Sequence, residues 1–243
     1  MDGTVVINLL GIPVGLNVVL SMIAAVVIVI ALCFLFTRNL SVENPGKIQL
    51  AFEWIVNLVE GVVKDALGDS MEPAHMVVAI TVFLFILVSN LLGLPILVEA
   101  DGISYWKSPT AELAVCLAMA VSMNLISQYF GIKKYGLLQH FRLTYAQPVA
   151  LLPYNILEEV INMMTLSLRL FGNIFAGEIL LKLIAELGNV FGIATWPIGI
   201  PLQMVWQAFS VFIGCLQAYI FVNLSIVYLS HKVIHHVEEK EEA

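Results

Sequence analysis

The sequence predicts an all-α integral membrane protein with about five transmembrane helices plus one in-plane amphipathic helix, the last two spans long, tilted and forming a hairpin. Three observations carry that expectation. Of 243 residues, 60% are hydrophobic and only 12% are charged, against roughly 25% charged in an ordinary soluble domain. The apolar residues fall in runs long enough to cross the hydrocarbon core, which takes about 20 residues. One segment breaks that habit and mixes apolar with charged residues at helical spacing. The chain reads as a single membrane domain, 1–243.

The first span is expected from Val14 to Phe36, closing at Thr37-Arg38-Asn39. Gly46 to Gly68 is the amphipathic segment. Ile48, Phe52, Ile55, Val59, Val62, Val63 and Ala66 recur on one face, while Lys47, Glu53, Asn57, Glu60, Lys64 and Asp65 fill the other positions. That pattern suits a helix lying in the interface, with a soluble helical arm as the alternative. The second span is expected from His75 to Val98, interrupted by Gly93 and Pro95, and the third from Thr110 to Phe130, ending at Gly131-Ile132-Lys133-Lys134.

Two longer segments follow, Pro148 to Leu187 and Pro197 to Ser230. At about 1.5 Å per residue both exceed a perpendicular crossing, so each must tilt, kink or leave the membrane. They are expected to form a hairpin through Gly188-Asn189-Val190-Phe191-Gly192. The remainder, 231–243, is a polar tail whose acids Glu238, Glu239, Glu241 and Glu242 read as a solvated end.

Lys and Arg set the orientation. Arg38, Lys47 and Lys64 fall between the first two spans, Lys133, Lys134 and Arg142 between the third and fourth, and Lys232 and Lys240 after the last. The opposite loops hold Lys107, with Lys182 near a helix end. The basic loops and the C-terminus are therefore expected in the cytoplasm, and the N-terminus outside. Met1-Asp2-Gly3-Thr4 lacks a basic region and the first apolar stretch is long enough to span, so no cleavable signal is expected. No internal repeat suggests an inverted-repeat transporter.

Several classes are excluded or weakened. A net charge of −7 argues against nucleic acid. Cys33, Cys116 and Cys215 sit far apart within apolar runs and read as small buried hydrophobes. His231, His235 and His236 lack acidic or cysteine partners at ligand spacing, so no metal and no cofactor is expected. His75 and His140 are expected to face headgroups or water. No Walker loop, nucleophile elbow or zinc-protease motif is present, so the chain carries no active-site chemistry of its own.

The charged residue that matters most is Arg169, inside the fourth long segment. A guanidinium at membrane depth costs about 2.5 to 17 kcal/mol, and its pKa above about 12 forbids escape by deprotonation. On a wheel of about 100° per residue, Asn162 and Asn173 lie within roughly 40° of Arg169. Thr165 and Glu158 share that side, Glu159 stands at its edge, and Glu178 falls nearly opposite, toward the far end. One helix would thus show carboxylates to two separate polar cavities with an arginine between them. The alternative makes Arg169 a structural counter-ion to Glu158 or Glu159.

On the last segment Gln203, Gln207, Ser210, Gly214 and Gln217 form one narrow polar seam. It reads either as a helix–helix hydrogen-bond seam or as the lining of the pathway that Arg169 serves, and the two are compatible. Gly172, Ala176 and Gly177 flank Arg169 and let a partner helix come close.

The run Ser167-Leu168-Arg169-Leu170-Phe171-Gly172-Asn173-Ile174-Phe175-Ala176-Gly177-Glu178 resembles the signature of the a-subunit family of F-type ATP synthases. Gly214-Cys215-Leu216-Gln217-Ala218-Tyr219-Ile220-Phe221 in the last helix and Asn90-Leu91-Leu92-Gly93-Leu94-Pro95 in the second span are similar to further motifs of that family. The resemblance covers essentially the whole chain. It implies a non-catalytic, proton-translocating stator subunit of the two-sector ATPase in a bacterial plasma membrane. Its partners would be the c-subunit ring, the b-subunit peripheral stalk and other ATP synthase subunits. It also implies two aqueous half-channels to the ring, with Arg169 as the essential arginine between them. Glu178 would belong to the outside half-channel, Gln217 would sit across from Arg169, and Asn173 matches a polar position near it. Ser210 stands where some family members carry His, so a water-filled path replaces a titratable relay there. Glu158, Glu159, Asn162 and Gln207 complete the expected set of proton-path residues. The competing classes are a self-contained ion channel or transporter, which needs its own central site, and a membrane scaffold.

Overall fold

A computed structural model describes residues 6–9, 12–38, 46–93, 99–100, 103–104, 108–145, 152–189 and 196–234. The expectations on Met1 to Thr4, Pro95, Lys107, the turn at 190–192, His235, His236 and the acidic tail lie outside the described residues. The protein is built from helices: α1 (Leu16–Thr37), α2 (Lys47–Leu67), α3 (Pro73–Gly93), α4 (Leu113–Tyr135), α5 (Leu137–Tyr145), α6 (Leu152–Asn189) and α7 (Trp196–Ile234). Two small antiparallel hairpins accompany them, β1 (Val6–Leu9) with β2 (Ile12–Gly15) and β3 (Glu99–Ala100) with β4 (Ile103–Ser104). Neither hairpin was anticipated, and both precede a spanning helix.

Among the described residues, four helices are long and apolar enough to cross a membrane: α1, α3, α4 and the Gly199–Ile234 stretch of α7. The remaining long helix, α6, carries Glu158, Glu159, Arg169, Glu178, Lys182 and Glu186 within its 38 residues. It nevertheless runs the length of the bundle, because it packs along both α4 and α7. Asn124 and Gln128 of α4 reach Met163 and Glu159 of α6, so the two helices run antiparallel. Asn173 bonds Gln217 while Gly177 faces Ser210, which makes α6 and α7 antiparallel too.

The core lies where α2, α3 and α7 meet, around Val59, Val63, Leu67, Phe83, Ile86, Phe221, Ile226 and Leu229. Helix α2 buries Val59, Val62, Val63 and Leu67 and leaves Trp54 and Ile48 exposed. Val59, Val62 and Val63 of the expected apolar face are thus buried, whereas Ile48 of that face is not. Gly68 ends it at φ 50°, a left-handed conformation that a side chain would strain.

Several details differ from the sequence reading. Helix α4 does not stop at Phe130 but continues through Gly131 to Tyr135. Gly131 acts as a gap instead of a breaker, because a Cβ there would overlap the His140 ring. Gly136, at φ 81°, then turns the chain into the unanticipated α5. His75 and His140 do not face headgroups or water, since both are buried. The His75 Nδ1 accepts the Glu72 backbone N–H, and its ring packs edge-on against Phe130. The His140 ring is held by Gln128 at 2.6 Å. Polar partners and aromatic packing compensate each ring for lost water. Of the three free cysteines only Cys116 is fully buried, while Cys33 and Cys215 are half-buried.

Candidate functional site

Helix α6 shows two different faces. Leu166, Leu170, Ile174 and Leu181 point into the bundle. Leu157, Ile161, Met164, Leu168, Phe175, Ile179 and Leu183 stand exposed. Arg169 lies on this outward, greasy face together with Glu158, Thr165 and Asn173, while Asn162 is half-buried. Among the described residues Arg169 has no hydrogen bond and no ion pair. It is therefore not the counter-ion of Glu158 or Glu159.

The small residues divide by face. A Cβ on Gly172 would meet nothing within 4 Å, and Ala176 is exposed, so both look outward beside Arg169. Gly177 faces inward, with Ser210 Oγ 3.5 Å from its Cβ position.

Glu178 points away from Arg169 and is buried, only 6% exposed. The backbone N–H of Ser108 donates to its Oε1 at 3.3 Å. From Ser108 a chain of bonds runs across the bundle. The Ser108 and Thr110 hydroxyl oxygens lie 2.8 Å apart, and the single Ser108 proton is shared between Thr110 Oγ1 and the Ser89 carbonyl at 3.0 Å. Thr110 donates to Asn90 Oδ1, and Asn90 Nδ2 donates to the Gly214 carbonyl at 2.9 Å. Gly93 makes this possible: Ser108 packs where its Cβ would stand, with Oγ at 2.6 Å from that point. Glu178 is thus built into the same end of the bundle as the α3–α4 connection.

The α7 seam closes on α6 and α3. Gln217, 2% exposed, accepts from Asn173 Nδ2 at 2.9 Å. Ser210 and Gly214 are buried, Gln207 is half-buried and Gln203 exposed. Gln217 Nε2 and the Ser89 and Ser225 hydroxyls are buried with no hydrogen-bond partner among the described residues. Buried polar atoms of this kind bind water.

At the other end of α6, Lys232 Nζ donates to Glu159 Oε1 and to Asn124 Oδ1, each at 2.5 Å. Gln128 Nε2 donates to the same Glu159 oxygen at 2.7 Å. His140 caps the cluster through Gln128. Helices α4, α5, α6 and α7 all contribute, and the pair is well shielded, with Lys232 10% and Glu159 18% exposed. Glu158 makes no such bond among the described residues and is exposed. The two acidic ends of α6 are 19 residues apart, about 28 Å along a helix.

Sequence reasoning singled out Arg169, Glu178, Asn173 and Gln217, and the fold brings Asn173 to Gln217 and turns Glu178 from Arg169. It missed Ser108, Thr110, Asn124, Gln128 and the pairing of Lys232. A loop Ser-Pro-Thr before a span and a Lys two residues past the last apolar run were the available signals. Which helices they would meet was not encoded in spacing.

A family model described as ATP synthase A chain matches residues 18–230. The chain is 45% identical to ATP synthase subunit a of Enterococcus faecalis over 221 residues, covering 89% of this chain and 91% of the relative. It is 42% identical to that of Staphylococcus carnosus, covering 93% and 94%. It is 41% identical to that of Bacillus velezensis, covering 94% and 96%. The outward arginine and the two polar ends of α6 thus sit in a multi-pass helical membrane protein that belongs to the ATP synthase A chain family.

Proposed function

We propose that this chain is the proton-translocating stator subunit of an F-type ATP synthase. It works in a bacterial plasma membrane with its C-terminus in the cytoplasm, against a ring of c subunits, and is held by the b-subunit stalk. The observation that carries this reading is Arg169: a permanent cation on an exposed apolar helix face, given no counter-charge among the described residues. Such a charge is stable at membrane depth only opposite a partner that supplies an anion or water. Gly172 and Ala176 leave room for that partner to approach.

The chemistry follows from electrostatics. A fixed cation favours the ionised form of a facing carboxyl. A ring carboxyl arriving at Arg169 gives up its proton on one side. Before it leaves for lipid it takes up another from the other side, because a bare carboxylate in hydrocarbon is costly. Arg169 also repels hydrated protons, so none passes straight through. The outside half-channel passes Glu178 and the Asn90–Thr110–Ser108 chain. Water at Ser210, Gln217 and the orphaned Ser89 hydroxyl carries protons inward, with Asn173 and Gln207 along its border. The second half-channel opens at the end of α6 that carries Glu158 and Glu159, past Asn162. Each charge moved through the membrane potential yields about 2.3 kcal/mol per 100 mV. Several such steps drive ATP formation in the soluble sector.

Arg169→Ala tests the reading. The complex is expected to assemble yet fail to pump protons on ATP addition, measured by dye quenching in inverted vesicles. Normal pumping would leave Arg169 a scaffold residue and the proposal without its foundation.

A further inference from the structure

The adjacent acids Glu158 and Glu159 meet opposite environments, and the difference assigns them different work. We propose that Lys232 fixes Glu159 as an anchor outside the proton path, while Glu158 is the carboxylate that releases protons on the Arg169 side; this rests on the stator reading above.

Glu159 is held by its neighbours and only 18% exposed. Its Oε1 accepts from Lys232 and Gln128, and Lys232 is tied further to Asn124. To carry a proton, a group must both take it up and release it. If Glu159 took one up, Lys232 would be left a buried ammonium without its anion, a costly state. The pair instead joins α4, α6 and α7 at one end, and His140, seated in the gap over Gly131, holds Gln128 in place.

Glu158 has the properties Glu159 lacks. It is exposed and unbonded among the described residues. Eleven residues separate it from Arg169, about three turns, so the two stand within roughly 20° of each other and about 16 Å apart along the axis. Asn162 and Thr165 occupy the turns between. These four make a polar line up a face otherwise formed by Leu157, Ile161, Met164 and Leu168. Glu159 stands roughly 80° off that line. The proton lost by a ring carboxylic acid beside Arg169 passes through water to the Glu158 carboxylate. It then goes from that carboxylic acid to the aqueous phase, which restores the carboxylate.

The test uses the complete ATP synthase in inverted vesicles, with ATP-driven pumping normalised to assembled complex. Glu158→Gln is expected to lower the rate at least roughly tenfold, the low side of what a positioned proton carrier contributes. Glu158→Asp should recover most of it, which a merely structural role would not require. Glu159→Gln and Lys232→Met should each reduce the amount of assembled complex. The Glu159→Gln/Lys232→Met double variant should restore assembly and pump at the parental rate per complex. Normal pumping by Glu158→Gln, or a slow but fully assembled double variant, would overturn the assignment. Arg169→Ala is run alongside. Pumping retained there defeats the stator reading itself, whereas its loss together with normal pumping in Glu158→Gln defeats only the division of labour between the two acids.

Discussion

At the scale of single residues, this protein is governed by where charge and missing atoms sit. Glu178 is buried but not sealed from polar neighbours. Glu178→Gln is expected to slow proton transport without blocking assembly, because water replaces part of a relay. Flux unchanged across external pH would remove Glu178 from the entry path. Gly93 makes a sharper case. A methyl at Gly93 collides with Ser108, the residue whose N–H meets Glu178. Overpacking of this kind costs about 1–3 kcal/mol. Gly93→Ala should therefore depress pumping much as Glu178→Gln does, although it removes no polar group; full pumping by that variant would show that the Ser108 contact is dispensable. Arg169 was legible in the sequence because a charge inside an apolar run has few reasons to be there. Ser108 and Thr110 were not, since their roles exist only once α3, α4 and α6 are packed.

At the scale of helices, the sequence reading was strongest where one helix contained the whole signal. The polar seam of α7 and the two-faced α2 follow from spacing along a single segment. Contacts between helices followed different rules. His140 looks like an interfacial histidine from its loop-like surroundings, yet α5 folds it under α4 into the space left by Gly131. Lys232 looks like another positive charge at a membrane exit, yet it turns inward to Glu159. Removing one member of a buried ion pair costs about 3–5 kcal/mol. Lys232→Met should thus lower the thermal midpoint of the purified complex, whereas an unchanged midpoint would make the pair ornamental. Long helices were also misjudged at their ends. Gly131 reads as a stop for α4, but helical backbone continues through glycine when a neighbour fills the space its side chain would have used.

At the scale of the molecule, the fold separates two polar clusters and places one cation between them. The Ser108–Glu178 cluster belongs to the end bearing the α3–α4 connection, and the Lys232–Glu159 cluster to the end bearing α5 and the close of α7. With basic residues gathered at the second end, the positive-inside rule predicts that this end faces the cytoplasm. A cysteine in place of exposed His231, in a background free of the native cysteines, should react with an impermeant maleimide in inverted vesicles and resist it in right-side-out ones. The reverse pattern would invert the topology. The central claim, that Arg169 alone bars protons from crossing between the two polar ends, meets its most direct test in passive proton conductance with the ring locked by a cross-link. The wild-type complex should be proton-tight in that state. Arg169→Ala should leak, because a stationary ring carboxyl then exchanges protons with both ends. A locked Arg169→Ala complex as tight as wild type would contradict the account.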